Sequence, residues 1–190
     1  MDQTELIVVN ALLKVIGESP VNSVDLGHPD VVTSLNIWAE YSSEIQSNSW
    51  WYNKETWALA ADVDGKVAIS SDVIAIDGPN TFYIKKGRYL YDLEEHSYDF
   101  SGATDTDLTL DLIMNWDIDE LPPVIFNYIL SKAKLSMLVD LAYDAHKELK
   151  LEKEIELRRF LVMKHHLRFA GPNALSTASA STLLTPQPTR

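Results

Sequence analysis

Few residues of this chain have the types and the spacing that catalysis or metal binding requires. His165 and His166 could supply imidazole ligands, but neighbours on a helix point about 100° apart, so both can hardly bind one ion. Asp105, Asp107 and Asp111 resemble the start of a calcium-binding loop, but the central glycine and the terminal glutamate are lacking. A solvated acidic turn before a strand explains them better. The sequence therefore predicts no metal site.

Motifs for nucleophilic catalysis and phosphate binding are also absent from the sequence. There is no GxSxG, no Walker phosphate loop, no HExxH and no cysteine. Among 28 acidic residues, some pair will always lie at the separation that a glycosidase needs, so such a pair carries little weight. We expect no catalytic residue, no cofactor and no enzymatic activity.

The densest aromatic cluster of the sequence consists of Trp50, Trp51, Tyr52 and Trp57. Aromatic faces stack on nucleobases and on sugars, so ligand binding is one interpretation. Alternatively, consecutive strand residues cover opposite faces, and the cluster then closes the junction between two parts of the fold. We favour the junction, with a protein interface as its near variant.

The chain is strongly acidic, and its charge is unevenly distributed. The formal net charge of −12 disfavours general affinity for DNA phosphates and for anionic lipid. Residues 1–131 hold six basic and 22 acidic residues, a net charge of −16, whereas residues 132–190 hold ten and six, a net charge of +4. Solvated helix faces of mixed sign would explain this difference, and so would two ends that face different partners.

The elements that must position these residues begin with an N-terminal helix. Asp2 and Glu5 have the spacing of a capping box, and apolar residues recur at helical intervals from about Gln3 to Ile16. Gly17 fits the left-handed position after a helix, and the proline that follows cannot continue one. The stretch IGESPV therefore predicts an abrupt helix end and a corner between the first two helices.

Helical periodicity returns twice along the chain. A second helix is predicted from about residue 28 to residues 46–49, with a proline in its first turn. A long helical segment opens at Pro122-Pro123 and continues through residues 147–169. One bent helix and two antiparallel helices both remain open for this segment, and the polar stretch 143–146 is the favoured break.

Between residues 50 and 117 the apolar period becomes strand-like, and turn signals such as Asp64-Gly65 and Lys86-Gly87 recur at short intervals. The stretch TFYIKKGRYLYD predicts a hairpin. The predicted strands are Val67–Ile69, Val73–Ile76, Phe82–Lys85, Tyr89–Asp92, Tyr98–Phe100 and Leu108–Asn115.

Together these elements predict an α+β fold in which strands are inserted into a helical bundle. We predict a bundle from residues 1–49 and 118–170, a β-rich domain over residues 50–117, and a flexible C-terminal tail over residues 171–190. The N-terminus has no basic segment ahead of an apolar stretch, which indicates no secretory signal. No apolar run approaches the ~18 residues of a membrane span, so we expect no membrane anchor.

Five stretches, in order along nearly the whole chain, resemble the tail tubular protein A family of short-tailed phages, the gatekeeper or adaptor proteins that lie under the portal. They are IGESPV (16–21), EIQSNSWWYN (44–53), YIKKGRYLYD (83–92), DELPPVIFNYILSKA (119–133) and, weakly, LLT (183–185). Residues 143–157 and the end after Gly171 depart from the family pattern, so interface details located there are not carried over.

This resemblance implies a structural protein of the virion that is made in the host cytoplasm. Such proteins form a ring, usually of twelve copies, that joins the portal to the tail nozzle, a protein similar to tail tubular protein B. Tail fibres are a further candidate partner. The ring completes the DNA channel and helps to retain and release the genome, while the DNA passes without specific binding. The family fold is a helical bundle that carries a β-rich domain.

Charge and apolar content indicate candidate interface residues for such an assembly. Lys85, Lys86 and Arg88 at the hairpin turn, together with the basic last helix, are expected to face acidic surfaces of a neighbour or of the portal. Leu183 and Leu184 are unusual in a polar tail and are expected to order on docking. Acidic residues of segment 1–131 that face the channel would repel DNA phosphates.

Two other classes of function are alternatives to a connector. One is a virion-associated enzyme that degrades the cell wall, since some tail proteins do so. The other is an acidic protein that mimics DNA and binds a basic enzyme tightly.

Overall fold

The computed structural model describes residues 3–25, 27–77, 82–103 and 108–169. In this part of the chain four helices flank five strands in sequence, which confirms the predicted α+β class. The elements are α1 (Gln3–Ile16), α2 (Pro29–Gln46), β1 (Lys54–Ala58), β2 (Val73–Ile76), β3 (Tyr83–Lys86), β4 (Tyr89–Asp92), β5 (Thr109–Met114), α3 (Pro123–Leu141) and α4 (Ala145–Phe169). The predicted tail, Asp2 and the acidic turn at 104–107 lie outside the described residues.

The end of α1 has the geometry that the IGESPV stretch predicts. Gly17 has a φ of +89°, and its N–H and that of Glu18 bond back to the carbonyls of Lys14 and Leu13. This is the double hydrogen bond of a Schellman motif. The following corner is fixed by Asn10, whose side-chain amide exchanges two hydrogen bonds (3.0 and 2.8 Å) with the backbone of Val21.

The helices form a bundle in which α3 packs against α1, α2 and α4. The C-terminal segment is two helices, and the break falls where the stretch 143–146 predicts it. Asp144 accepts the backbone N–H groups of His146 and Lys147 (3.0 and 3.2 Å) and so caps the start of α4. These bonds, led by the one from Lys147, lower the pKa of the Asp144 carboxyl.

The strands form an antiparallel sheet of order β1-β5-β2 and a separate hairpin, β3-β4. The bounds predicted for β2 and β4 are confirmed, and those for β3 and β5 differ by one residue at each end. The predicted strand Val67–Ile69 is wrong, because the segment makes only one bridge, from Ala68 to Tyr89. The strand predicted at Tyr98–Phe100 is wrong because the Asp99 carboxylate accepts the N–H of Ser101 and turns the chain.

Two buried clusters make up the core. One lies inside the helical bundle, and the other lies between the sheet and the hairpin around Leu90, Phe100 and Leu112. Trp116 is partly buried and packs against both clusters. The connection between β5 and α3 therefore joins the two parts of the core.

Candidate functional site

The hairpin β3-β4 presents the basic residues that the sequence singles out. Its strands pair from Tyr83 with Asp92 to Lys86 with Tyr89, which leaves a turn of two residues. Gly87 is the first of them, with a φ of +67°, and open space surrounds the position of an added Cβ. A positive φ at the first turn residue alone is what a type II′ turn requires. The turn residues and Lys86 are exposed, so the tip is available for contact.

Lys85 differs from its two basic neighbours because it is only partly exposed and its ammonium group is bound to backbone carbonyls. Its Nζ donates to the carbonyl oxygens of Ser70 (3.0 Å), Ser71 (3.3 Å) and Val73. These three acceptors satisfy the three N–H donors of an ammonium group. Lys85 therefore fixes the hairpin onto the turn that precedes β2, and its charge faces backbone carbonyls.

Lys86 and Arg88 carry the exposed positive charge of the hairpin. The Nζ of Lys86 lies 4.0 Å from the ring centroid of Tyr91 and 5.8 Å from that of Tyr98, within the range of a cation–π contact. Arg88 borders a cavity of about 450 Å³ beside residues 68–71. Neither side chain has a carboxylate oxygen within 4 Å among the described residues. The two charges are thus free to bind an acidic partner.

Leu183 and Leu184, the other two predicted interface residues, lie outside the described residues. The structure therefore brings together three of the five predicted residues, and their proximity follows from their place in one hairpin.

The aromatic cluster near residue 50 packs against the end of α4. Trp51 stacks on Phe169 at 6.0 Å between ring centroids with an interplanar angle of 9°, and Trp50 meets His166 edge to face at 5.5 Å. His165 also lies against Trp51, at 5.9 Å. These contacts pack Trp50 and Trp51 onto the helical bundle, and Trp57 lies exposed on β1. The junction between the bundle and the β-rich domain stays a prediction for this cluster. Burial lowers the pKa of His166.

Two buried side-chain amides join the bundle to the sheet. Asn53 Nδ2 donates to the carbonyls of Gln46 (2.6 Å) and Met114 (3.0 Å), and its Oδ1 accepts the N–H of Trp50 (3.0 Å). Gln46 Oε1 accepts the N–H of Trp116 (2.9 Å), and its Nε2 donates to the carbonyl of the same residue (3.0 Å). Both amides are fully buried. They fix the orientation of the sheet, and thus of the hairpin, relative to the bundle.

Sequence reasoning missed the roles of these two amides, although both lie in the stretch EIQSNSWWYN. Their partners near residue 115 are about 60–70 residues away in the chain, so no spacing rule links them. The only signal available was their place in a stretch by which the chain resembles a family.

The arrangement is suited to docking through charge and aromatic contacts. In the described ranges there is no group of three or more potential metal ligands. No described helix is long and apolar enough to cross a membrane.

Comparison with known proteins gives two matches. The family model described as tail tubular protein matches residues 6–171, which is most of the chain. A curated protein, tail tubular protein A of Klebsiella phage KP34, is 24% identical over 170 residues, which cover 86% of this chain and 87% of that protein. The range of the family match includes the sheet, the hairpin and the helical bundle except the first three residues of α1.

Proposed function

Since this chain belongs to the tail tubular protein family, and is thus a structural protein of a phage tail, we propose that it forms a ring of twelve copies that joins the portal to the tail nozzle. The ring completes the DNA channel and helps to retain and release the genome. The nozzle partner is a protein similar to tail tubular protein B, and tail fibres are a further candidate partner. The protein is made in the host cytoplasm and acts in the virion without catalysis.

The observation that carries this proposal is the family match over residues 6–171. The relative in phage KP34 bears the name tail tubular protein A and is covered over nearly the same share of its length as this chain. Apart from the first three residues of α1, a match of this extent includes every described helix and strand, and so it concerns the whole fold rather than one motif.

The charge of the chain supports a place around DNA. Residues 1–131 carry a net charge of −16, and acidic groups from this segment that face a channel would repel phosphates. Repulsion would keep the duplex from binding to the wall during transit. Specific binding of the passing DNA would instead slow its release.

The hairpin supports attachment to an acidic surface of the portal. Lys86 and Arg88 are exposed, have no described carboxylate partner, and project at a turn whose direction is fixed by Lys85 and the buried amides. The variant Lys86→Glu/Arg88→Glu should weaken attachment to the portal, whereas Lys86→Arg/Arg88→Lys should preserve it. Equal attachment of both variants to the portal would show that the hairpin is not part of the interface.

Electron microscopy of this protein mixed with the portal of the same phage tests the proposed function. We expect rings coaxial with the portal. Failure to form rings on the portal would overturn the proposal. Clearing of cell wall in a zymogram, abolished by changing one acidic residue, would instead support a lytic enzyme. Tight, salt-sensitive binding to a basic enzyme without rings would support a DNA mimic.

A further inference from the structure

A groove lined by lysines lies between α1, α3 and α4 in this otherwise acidic protein. Its volume is about 480 Å³. Its lining residues are Ala11, Lys14, Val15, Lys134, Lys147, Lys150, Leu151 and Glu154. Four of the chain's eleven lysines therefore meet in one concave surface, although the net charge is −12. We call this surface the lysine groove.

The charge of the lysine groove is not neutralised within the described part of the chain. None of its four lysines has a carboxylate oxygen within 4 Å there. The one carboxylate in the lining, that of Glu154, accepts a hydrogen bond from Ser131 (3.0 Å) and lies 3.5 Å from Arg158. Lys147 donates to the carbonyl of Val15 (3.3 Å), which keeps its charge at the groove. Clustered like charges in a concave surface raise the local potential and attract an acidic partner.

An acidic surface lies toward the other end of α1. A second cavity, of about 410 Å³, is lined by α1, α2 and the segment 115–118, and it includes Glu5 and Asp117. Asp119 and Glu120 follow directly in the chain and are exposed. None of these four acids forms an ion pair with any residue that the structure describes. We call Glu5, Asp117, Asp119 and Glu120 the acidic corner.

We propose that the lysine groove of one copy binds the acidic corner of the neighbouring copy in the ring. Each surface offers four unpaired charges of opposite sign, and both have an apolar component, from Leu151 in the groove and from Trp38 beside the corner. The groove lies on the α4 side of α1 and the corner on its α2 side, so one copy can present both surfaces at once. A cyclic assembly needs two different complementary surfaces of this kind on every subunit. The inference rests on the proposed ring and names its interface.

Charge reversal tests the pairing. Lys14→Glu/Lys150→Glu, the groove variant, reverses two exposed groove charges and leaves the groove negative, because Glu154 also lies there. Asp117→Lys/Asp119→Lys/Glu120→Lys, the corner variant, reverses three exposed corner charges and leaves the corner positive. Each variant places like charges at every interface, and we expect the concentration for half-maximal ring formation on the portal to rise about tenfold or more. The combined variant, with all five reversals, restores opposite charges and should recover ring formation.

Mixing the groove variant with the corner variant gives a sharper test. The groove variant has a negative groove and a negative corner, and the corner variant has a positive groove and a positive corner. Two neighbouring copies of the same variant repel each other, whereas copies of the two variants attract each other. The two variants can therefore alternate around a ring of twelve, because twelve is an even number. An equimolar mixture should therefore form rings that neither variant forms alone. The variant Lys153→Glu/Lys164→Glu, at exposed positions of α4 outside the groove, controls for the added negative charge and should assemble normally.

The possible outcomes separate this inference from the proposed function. If the wild type forms no ring on the portal, the proposed function fails. If the wild type forms rings and both the groove variant and the corner variant form them equally well, the function stands and the pairing is wrong. If these two variants fail to assemble and neither the combined variant nor the mixture recovers, the two surfaces do not bind each other. Circular dichroism confirms that each variant is folded before assembly is measured.

Discussion

Replacement of Asn53 should loosen the joint between the bundle and the sheet. The fully buried amide makes three hydrogen bonds to backbone groups, those of Gln46, Met114 and Trp50. In Asn53→Ala the three groups lose their partner, and a buried group without a partner costs about 1–3 kcal/mol. Because water entering the space would satisfy some of them, we expect the free energy of unfolding to fall by about 2–5 kcal/mol. This is a large part of the roughly 5–15 kcal/mol that stabilises a typical domain.

Urea denaturation followed by tryptophan fluorescence measures this loss. For a chain of this size the slope should lie near the upper end of the usual range, at about 2.5 kcal/mol per molar urea, and the midpoint should then fall by about 1–2 M. Asn53→Asp separates hydrogen bonding from packing, because the carboxylate fills the same space but cannot donate to the two carbonyls. It should be destabilised to a similar extent at pH 7. Asn22→Ala is the matched control, since Asn22 is exposed, and its effect should stay within about 0.5 kcal/mol. Changes below about 1 kcal/mol for both Asn53 variants would refute the reasoning.

Three further predictions follow from single features of the structure. Gly17→Ala should lower the free energy of unfolding by about 1–2 kcal/mol, because an alanine at φ +89° is strained although its Cβ meets no atom. Gly102→Ala is the control and should change the free energy of unfolding by less than about 0.5 kcal/mol, and thermal unfolding compares the two variants. Burial lowers the pKa of His166, so its neutral form stabilises the fold above about pH 6.5, and this contribution is lost as the pH falls through the lowered pKa. His166→Gln should therefore reduce the decrease in the free energy of unfolding between pH 7 and pH 5. If the decrease is the same in the variant as in the wild type, other groups cause it. Deletion of residues 173–190 should leave the thermal midpoint of unfolding unchanged and weaken binding to the portal. Undiminished binding would show that the tail is not part of that interface.

Helices α1 and α2 and the start of α3 were predictable because apolar residues recur there at helical intervals beside clear end signals, whereas the break between α3 and α4 was one of two alternatives. Gly17 and the proline after it end α1, and the proline pair opens α3, all through local backbone geometry. Strand β1 was missed because four of its five residues are exposed, and only its pairing with β5 makes it a strand. Local pattern carries no signal for such a strand.

The candidate surfaces were less predictable, because they depend on contacts between distant residues. From the sequence, Lys85 is expected to be a surface cation like Lys86. Its ammonium group instead binds carbonyl oxygens of residues that lie 12 to 15 positions earlier in the chain. The lysine groove combines residues from three helices, and no sequence spacing connects Lys14 with Lys134 or Lys147. The charge asymmetry of the chain left open whether its regions face different partners, and only the fold gathers the lysines at one end of α1 and the acidic corner toward the other.

The mass of the complex between the portal and this protein tests the central claim most directly. Each chain has a mass of 21.4 kDa, so a ring of twelve copies adds about 257 kDa to the portal. Native mass spectrometry of the purified complex, prepared with excess protein, should show this increase and no populated species between the free portal and the full ring. A complex in which the portal gains no mass, or gains one or two chains without ring closure, would contradict a ring-forming connector.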